Sequence, residues 1–355
     1  VIEFLSEKVR TPPTLYLIEK PTQITWSLQT LQRTIKNIGL EIETDKLREL
    51  IAALNSGKHV ILLGPPGTGK TTLARLLATS HNLEQVIKTT SSEWSRLDTI
   101  GGPIFSGNKV IWRAGCLLEA IVKFYKPQSG YKGSLLIIDE VNRANMDRAF
   151  GEFFTVFSSS DPSEWEIPST LLYEISSYGG NIDVLSKETL RLWKKFKGTG
   201  GGLKIPESFR IVATMNTYDR RYLFTLGYAL LRRFAVIELS NPPNEKIQNI
   251  LAKYCKSEKI IEEIYNFYTD LKEKEKVGLE VGIALLIDVA KIACELLNMG
   301  VSVREAVDRG IASIILTQFE GLPIFKLKKI ADILLQRGYG KSYGVFEKLY
   351  PEAAK

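Results

Sequence analysis

Gly64-Pro65-Pro66-Gly67-Thr68-Gly69-Lys70-Thr71-Thr72 decides how this chain folds. The nine residues follow an apolar run, His59-Val60-Ile61-Leu62-Leu63, and open a helix-like stretch from Lys70 to Ser80. A G-x-x-x-x-G-K-[ST] pattern between a strand and a helix reads as a phosphate-binding loop. Gly64, Gly67 and Gly69 carry no Cβ, so the loop can turn its N–H groups inward onto phosphate oxygens. The positive end of the following helix adds to that anion trap. Lys70 is expected to reach the β/γ-phosphates, and the Thr71 hydroxyl to ligate Mg²⁺.

Working outward, 355 residues with 44% apolar and 25% charged side chains suit a globular protein of two or three domains. No apolar stretch approaches the ~20 residues of a membrane span and no signal peptide heads the sequence, so a cytoplasmic location is expected. Cys116, Cys255 and Cys294 are odd in number and lack a C-x-x-C spacing. They predict inert or buried thiols in a reducing compartment rather than a disulfide frame. His59 and His81 are the only histidines, which excludes His-based zinc sites and His-dependent hydrolytic triads. The net charge of +7 is compatible with a nucleic-acid partner and equally with an ordinary mixed surface.

Residues 1–45 read as a lead-in of short extended pieces. Asp45 to Asn55 has apolar residues at helical spacing and stops at Ser56-Gly57. From there to about Ser240, short apolar runs alternate with helical stretches. The candidate strands are Val60–Leu63, Gln85–Thr89, Leu135–Asp139, Phe209–Met215 and Ala235–Leu239. The fold class is therefore α/β, with a parallel sheet flanked by helices across 46–241. After Asn241-Pro242-Pro243 the pattern changes to four or five amphipathic helices, which predicts a small all-α domain over 242–355.

Two further strand ends carry acids or amides. Leu135-Leu136-Ile137-Ile138-Asp139-Glu140 is a Walker B pattern, with Asp139 expected at the metal and Glu140 as general base. Val212-Ala213-Thr214-Met215-Asn216 ends on an amide that can orient the nucleophilic water or the γ-phosphate. Arg232-Arg233 closes the next helix-like segment. A basic pair there can simply complement a helix dipole, or it can complete a neighbouring subunit's site in a ring ATPase.

Together these motifs resemble AAA+ ATPases, and more narrowly the McrB family. Asp139-Glu140-Val141-Asn142-Arg143-Ala144-Asn145 and Met215-Asn216-Thr217-Tyr218-Asp219-Arg220 are similar to that family's DEINRAN and MNTADR elements. The resemblance covers about Asp45 to Leu239. It implies an AAA+ core with a helical lid, and a GTPase (ATP being the alternative) that forms hexamers. An McrC-type nuclease subunit would stimulate it, with DNA as the further partner. It also implies that Asp219 sits beside Asn216 and that Arg143 lies near a subunit interface as a second trans-acting arginine. Tyr218 departs from the usual Ala, and the family's DNA-reading N-terminal domain is not recognisable. The stretch Asp98 to Gly115 is also similar to MoxR-like chaperones, the alternative reading. No nuclease cluster stands out, so this chain is not expected to cut DNA itself.

Glu166-Ile167-Pro168 and Lys204-Ile205-Pro206 read as two arms of a hairpin, with residues 169–203 inserted at its tip. Within the insertion, Leu190, Trp193 and Phe196 lie beside Lys194, Lys195 and Lys197. They predict either an amphipathic helix packed on its own domain or a contact to DNA backbone or a partner through a ring pore.

Overall fold

The computed structural model describes residues 21–38, 40–216, 232–273 and 277–354. Its centre is a five-stranded parallel sheet in the order β2-β5-β8-β1-β9. The strands are β1 (His59–Gly64), β2 (Leu83–Thr89), β5 (Gly133–Asp139), β8 (Ile211–Asn216) and β9 (Phe234–Glu238). Every residue of β1 is buried, as expected of a strand covered on both faces. Helices α2 (Thr44–Asn55), α3 (Lys70–Ser80) and α5 (Cys116–Tyr125) pack against the sheet. In α3 the buried Leu73, Ala74, Leu77 and Ala78 recur at helical spacing.

The remaining elements of this half differ more from expectation. α1 (Leu28–Ile38) is a helix where an extended lead-in is expected, and it buries Leu31 and Ile35. His81 ties it down, because Nε2 accepts the Ser27 N–H at 2.8 Å. After the short α4 (Arg96–Thr99) comes an antiparallel hairpin, β3 (Gly101–Ser106) with β4 (Lys109–Ala114). α6 (Met146–Val156) leads to the small hairpin β6 (Glu166–Ile167) with β7 (Leu203–Lys204), paired Glu166 to Lys204. Its tip carries α7 (Ser169–Ser177) and α8 (Val184–Lys195).

The packing of α8 turns its aromatic residues onto the protein, with Lys195 Nζ 5.5 Å from the centre of the Phe196 ring. Phe196, just beyond α8, stacks on Tyr125 at 4.6 Å, and Trp193 meets Tyr173 edge-on at 5.1 Å while donating from Nε1 to the Gly201 carbonyl. The aromatic face is thus packed on the protein itself, leaving Lys194, Lys195 and Lys197 exposed.

A second hydrophobic core lies in residues 247–353. It is built by α9 (Asn244–Leu251), α10 (Glu258–Lys272), α11 (Ile283–Asn298), α12 (Val303–Ile314), α13 (Ile324–Gln336) and α14 (Gly340–Leu349). The four or five expected helices are six among the described residues. The expectation of unpaired thiols is corrected here as well. Cys255 and Cys294 form a disulfide with Cα atoms 5.8 Å apart, and only Cys116 is free. The turn after α9 lies against the side of α11, a proximity that spacing along the chain cannot reveal.

Candidate nucleotide site

β1, β5 and β8 are neighbours and parallel, so their C-terminal ends open on one side of the sheet. Gly64, Asp139 and Asn216 occupy those ends. Gly64 stands in register with Asn216, and Ile138 with Ala213, which sets Asp139 beside Thr214. In open α/β sheets this edge is where ligands bind.

The loop itself is wound as phosphate binding requires. Gly69 has φ of +84°, a left-handed conformation that aims the chain into α3 and that a Cβ would strain. Lys70 is buried, and its Nζ donates to the carbonyls of Gly64 (2.9 Å) and Pro65 (2.7 Å). Thr68 Oγ1 donates to the Pro65 carbonyl at 3.0 Å, bracing the turn from inside. Pro66 and Gly67 face the helical part. Ala284 N–H donates to the Gly67 carbonyl at 3.2 Å, and a Cβ on Gly282 would collide with the Pro66 carbonyl. Asn241, buried at the junction, donates to the Val281 carbonyl and accepts from Ile283 N–H at 2.9 Å. The start of α11 is therefore keyed to both the loop and the junction.

The acids are equally well held. Thr71 Oγ1 donates to Asp139 Oδ1 at 2.7 Å, and Thr214 Oγ1 donates to the same oxygen at 2.6 Å. Thr72, the last residue of the motif, is exposed on α3. Glu140 adopts φ 55° and ψ 45°, a strained left-handed conformation for a residue with a Cβ. Its N–H donates to Thr214 Oγ1 at 3.0 Å, its carbonyl accepts from Thr90 Oγ1, and its carboxylate pairs with Arg143 Nε at 2.5 Å. One carboxylate and one hydroxyl suit a Mg²⁺ ion that keeps several waters and takes phosphate oxygens. Among the described residues no group of three or more His, Cys, Asp or Glu side chains could hold a metal by itself.

Residues 59–234 match the family model of the AAA domain, dynein-related subfamily. The type IV methyl-directed restriction enzyme EcoKMcrB subunit of Escherichia coli strain K12 is 30% identical over 207 residues. This chain carries an AAA+ core that is similar to the McrB subunit. The match covers 56% of the chain but only 39% of that subunit. The BsuMI component YdiS, a type II restriction enzyme of Bacillus subtilis strain 168, is 29% identical over 34% of the chain and 30% of its own length. The RuvB Holliday junction branch migration motor of Thermotoga maritima is a more distant likeness. It is 18% identical over 90% of this chain and 83% of its own, with a TM-score of 0.40.

The arginine pair lies apart from the loop. Arg233 N-terminally abuts β9, whose Phe234 is level with His59 at the start of β1. Five residues of strand, about 17 Å, separate that level from Gly64. Arg233 donates from Nε to the Phe157 carbonyl and from Nη2 to the Ser158 carbonyl at 3.3 Å, so it is engaged at the C-terminus of α6. Arg232 is exposed, with its own carbonyl held by Lys58 Nζ at 2.9 Å. Arg143 is 59% exposed and sits on this protomer's Glu140. Asp219 lies outside the described residues.

Sequence reasoning missed Thr214 and Thr90. The signal was available for Thr214, because a polar residue two before Asn216 in an apolar strand faces the same side as the amide.

Burial lowers the Lys70 ammonium to about 8, although Asp139 and Glu140 pull it upward. The protonated form is the one that binds a triphosphate, and the bound phosphates raise its pKa again. Nucleotide affinity is therefore expected to be full below that value and to weaken as pH rises through it, about tenfold by pH 9. Titration calorimetry near pH 8 should also record proton uptake on binding. A flat affinity from pH 7.5 to 9 would contradict the assignment.

Proposed function

We propose that this chain is the motor module of a ring-forming, Mg²⁺-dependent nucleoside triphosphatase. In this reading residues 46–241 form the nucleotide-binding core and 242–355 its lid. GTP is the nucleotide by kinship with the McrB subunit, and the ring drives an McrC-type nuclease along DNA. One observation carries the reading: the loop, Asp139, Glu140 and Asn216 meet at one sheet edge, while the Arg232–Arg233 pair stands at the opposite end. An arginine that cannot reach its own site can serve the next protomer's.

The loop amides and Lys70 would hold the phosphates, and Thr71 and Asp139 would hold the ion, which when bound would supply positive charge to the phosphate oxygens. To reach the phosphates, Lys70 must release the Gly64 and Pro65 carbonyls. Glu140 accepts a proton from water as the water oxygen bonds to the γ-phosphorus and the bond to the β-phosphate bridge breaks. Glu140 must first leave Arg143. Asn216, with Asp219, orients the water, and Arg232 enters from the neighbour to stabilise the transferring phosphoryl group. Leu40 rests against Gly69 and the start of α11 against Gly67, so lead-in and lid flank the place for the base.

Phosphate release measured with GTP and ATP in competition, with particle mass followed by light scattering, tests this reading. Turnover of GTP by a six-membered ring, raised by an McrC-type protein and DNA, is the expected result. ATP preference with no response to that protein would favour a MoxR-like remodeller instead. Tight binding with no turnover under any condition would reduce the chain to a scaffold.

A further inference from the structure

Resting on that reading of Asp139 and Glu140, we propose that Thr214 is a positioning residue that locks the metal-binding acid and the base into one fixed geometry. A threonine hydroxyl has one proton to give and lone pairs to receive. At Thr214 both capacities are used on the two acids. Oγ1–H donates to Asp139 Oδ1 at 2.6 Å, and Oγ1 accepts from Glu140 N–H at 3.0 Å. The residue is 1% exposed, so water cannot stand in for either bond.

The role differs from that of Thr71, which donates to the same Oδ1 from the loop. Thr71 belongs to the loop that nucleotide would occupy, so its position answers to the loop. Thr214 comes from β8, the strand beside β5, and its hold does not depend on the loop. It also bears on the backbone of Glu140, whose φ of 55° is strained for a residue with a Cβ. A bond to the N–H on one side and from Thr90 to the carbonyl on the other keep the residue in that conformation. Removing the hydroxyl leaves a buried N–H unpaired and frees Glu140 to relax toward an ordinary conformation, away from the water it must deprotonate.

Thr214→Val keeps shape and volume while deleting the hydroxyl, and Thr214→Ser keeps the hydroxyl while deleting the methyl. For Thr214→Val, kcat should fall about thirtyfold with nucleotide affinity within twofold, and the Mg²⁺ concentration for half-maximal rate should rise about fivefold. Thr214→Ser should stay within about threefold of the parent on all three measures. Should the valine variant not fold, Thr214→Ala is read in its place. Glu140→Gln run in parallel separates the two claims, because its survival would remove the base assignment itself. If Glu140→Gln is inactive while the hydroxyl-free variant keeps parental kcat and Mg²⁺ dependence, Thr214 does not position the acids. A serine variant as slow as the valine one would equally overturn the proposal, since the methyl rather than the hydroxyl would then matter.

Discussion

Glu140→Gln should bind nucleotide as tightly as the parent and hydrolyse it about 10² to 10⁴ times more slowly, the range a lost general base produces. Gln has the same shape, and both backbone anchors of residue 140, to Thr214 and from Thr90, are untouched by the change. The substitution also removes the ion pair with Arg143. That pair is 59% exposed on the arginine side, so its loss should alter stability by no more than about 1 kcal/mol. Loss of turnover therefore cannot be blamed on unfolding. Fluorescent-nucleotide binding and phosphate release on the same sample provide the check, and a variant still turning over within tenfold of the parent would remove Glu140 from the mechanism.

The second large effect concerns the arginine pair, whose two members should behave differently. Arg232→Ala should lower hydrolysis by about 10³-fold, the scale of a trans-acting arginine, with little change in melting temperature because the side chain is exposed. Arg233→Ala should instead lower stability by about 1 kcal/mol, since its guanidinium donates to the Phe157 and Ser158 carbonyls at the end of α6. Mixing Arg232→Ala protomers with Lys70→Ala protomers supplies the decisive measurement. Each mutant brings what the other lacks across an interface, so part of the activity should return. No recovery at any mixing ratio would mean that Arg232 does not act on a neighbour.

The residues of the candidate site were readable because their signals are local. A loop of three glycines and a lysine, a strand ending in Asp139-Glu140, and a strand ending in Asn216 each identify themselves within ten residues. The five strands of the central sheet were readable for a related reason. Strands covered on both faces are short unbroken apolar runs, and β1 and β5 are of that kind. Other elements were hidden to different degrees. α1 was discoverable, since Leu28, Leu31 and Ile35 already have helical spacing. The β3–β4 hairpin was obscured by its glycines and polar turn. The Cys255–Cys294 pair required the packing of α9 against α11, and no count of cysteines could supply it.

Local spacing alone set out the groups on offer: a glycine-rich loop with its lysine, two acids, an amide and a pair of arginines, each tied to its neighbours by the chain. Which of these groups meet was settled by how the strands pair and the helices pack. Strand order and register brought Thr214 between Asp139 and Glu140, turned Arg233 onto α6 and left Arg232 facing outward. Those outcomes depend on pairings between residues some 75 positions apart, whose geometry is set by how the sheet and helices bury apolar surface together rather than by any short stretch of chain.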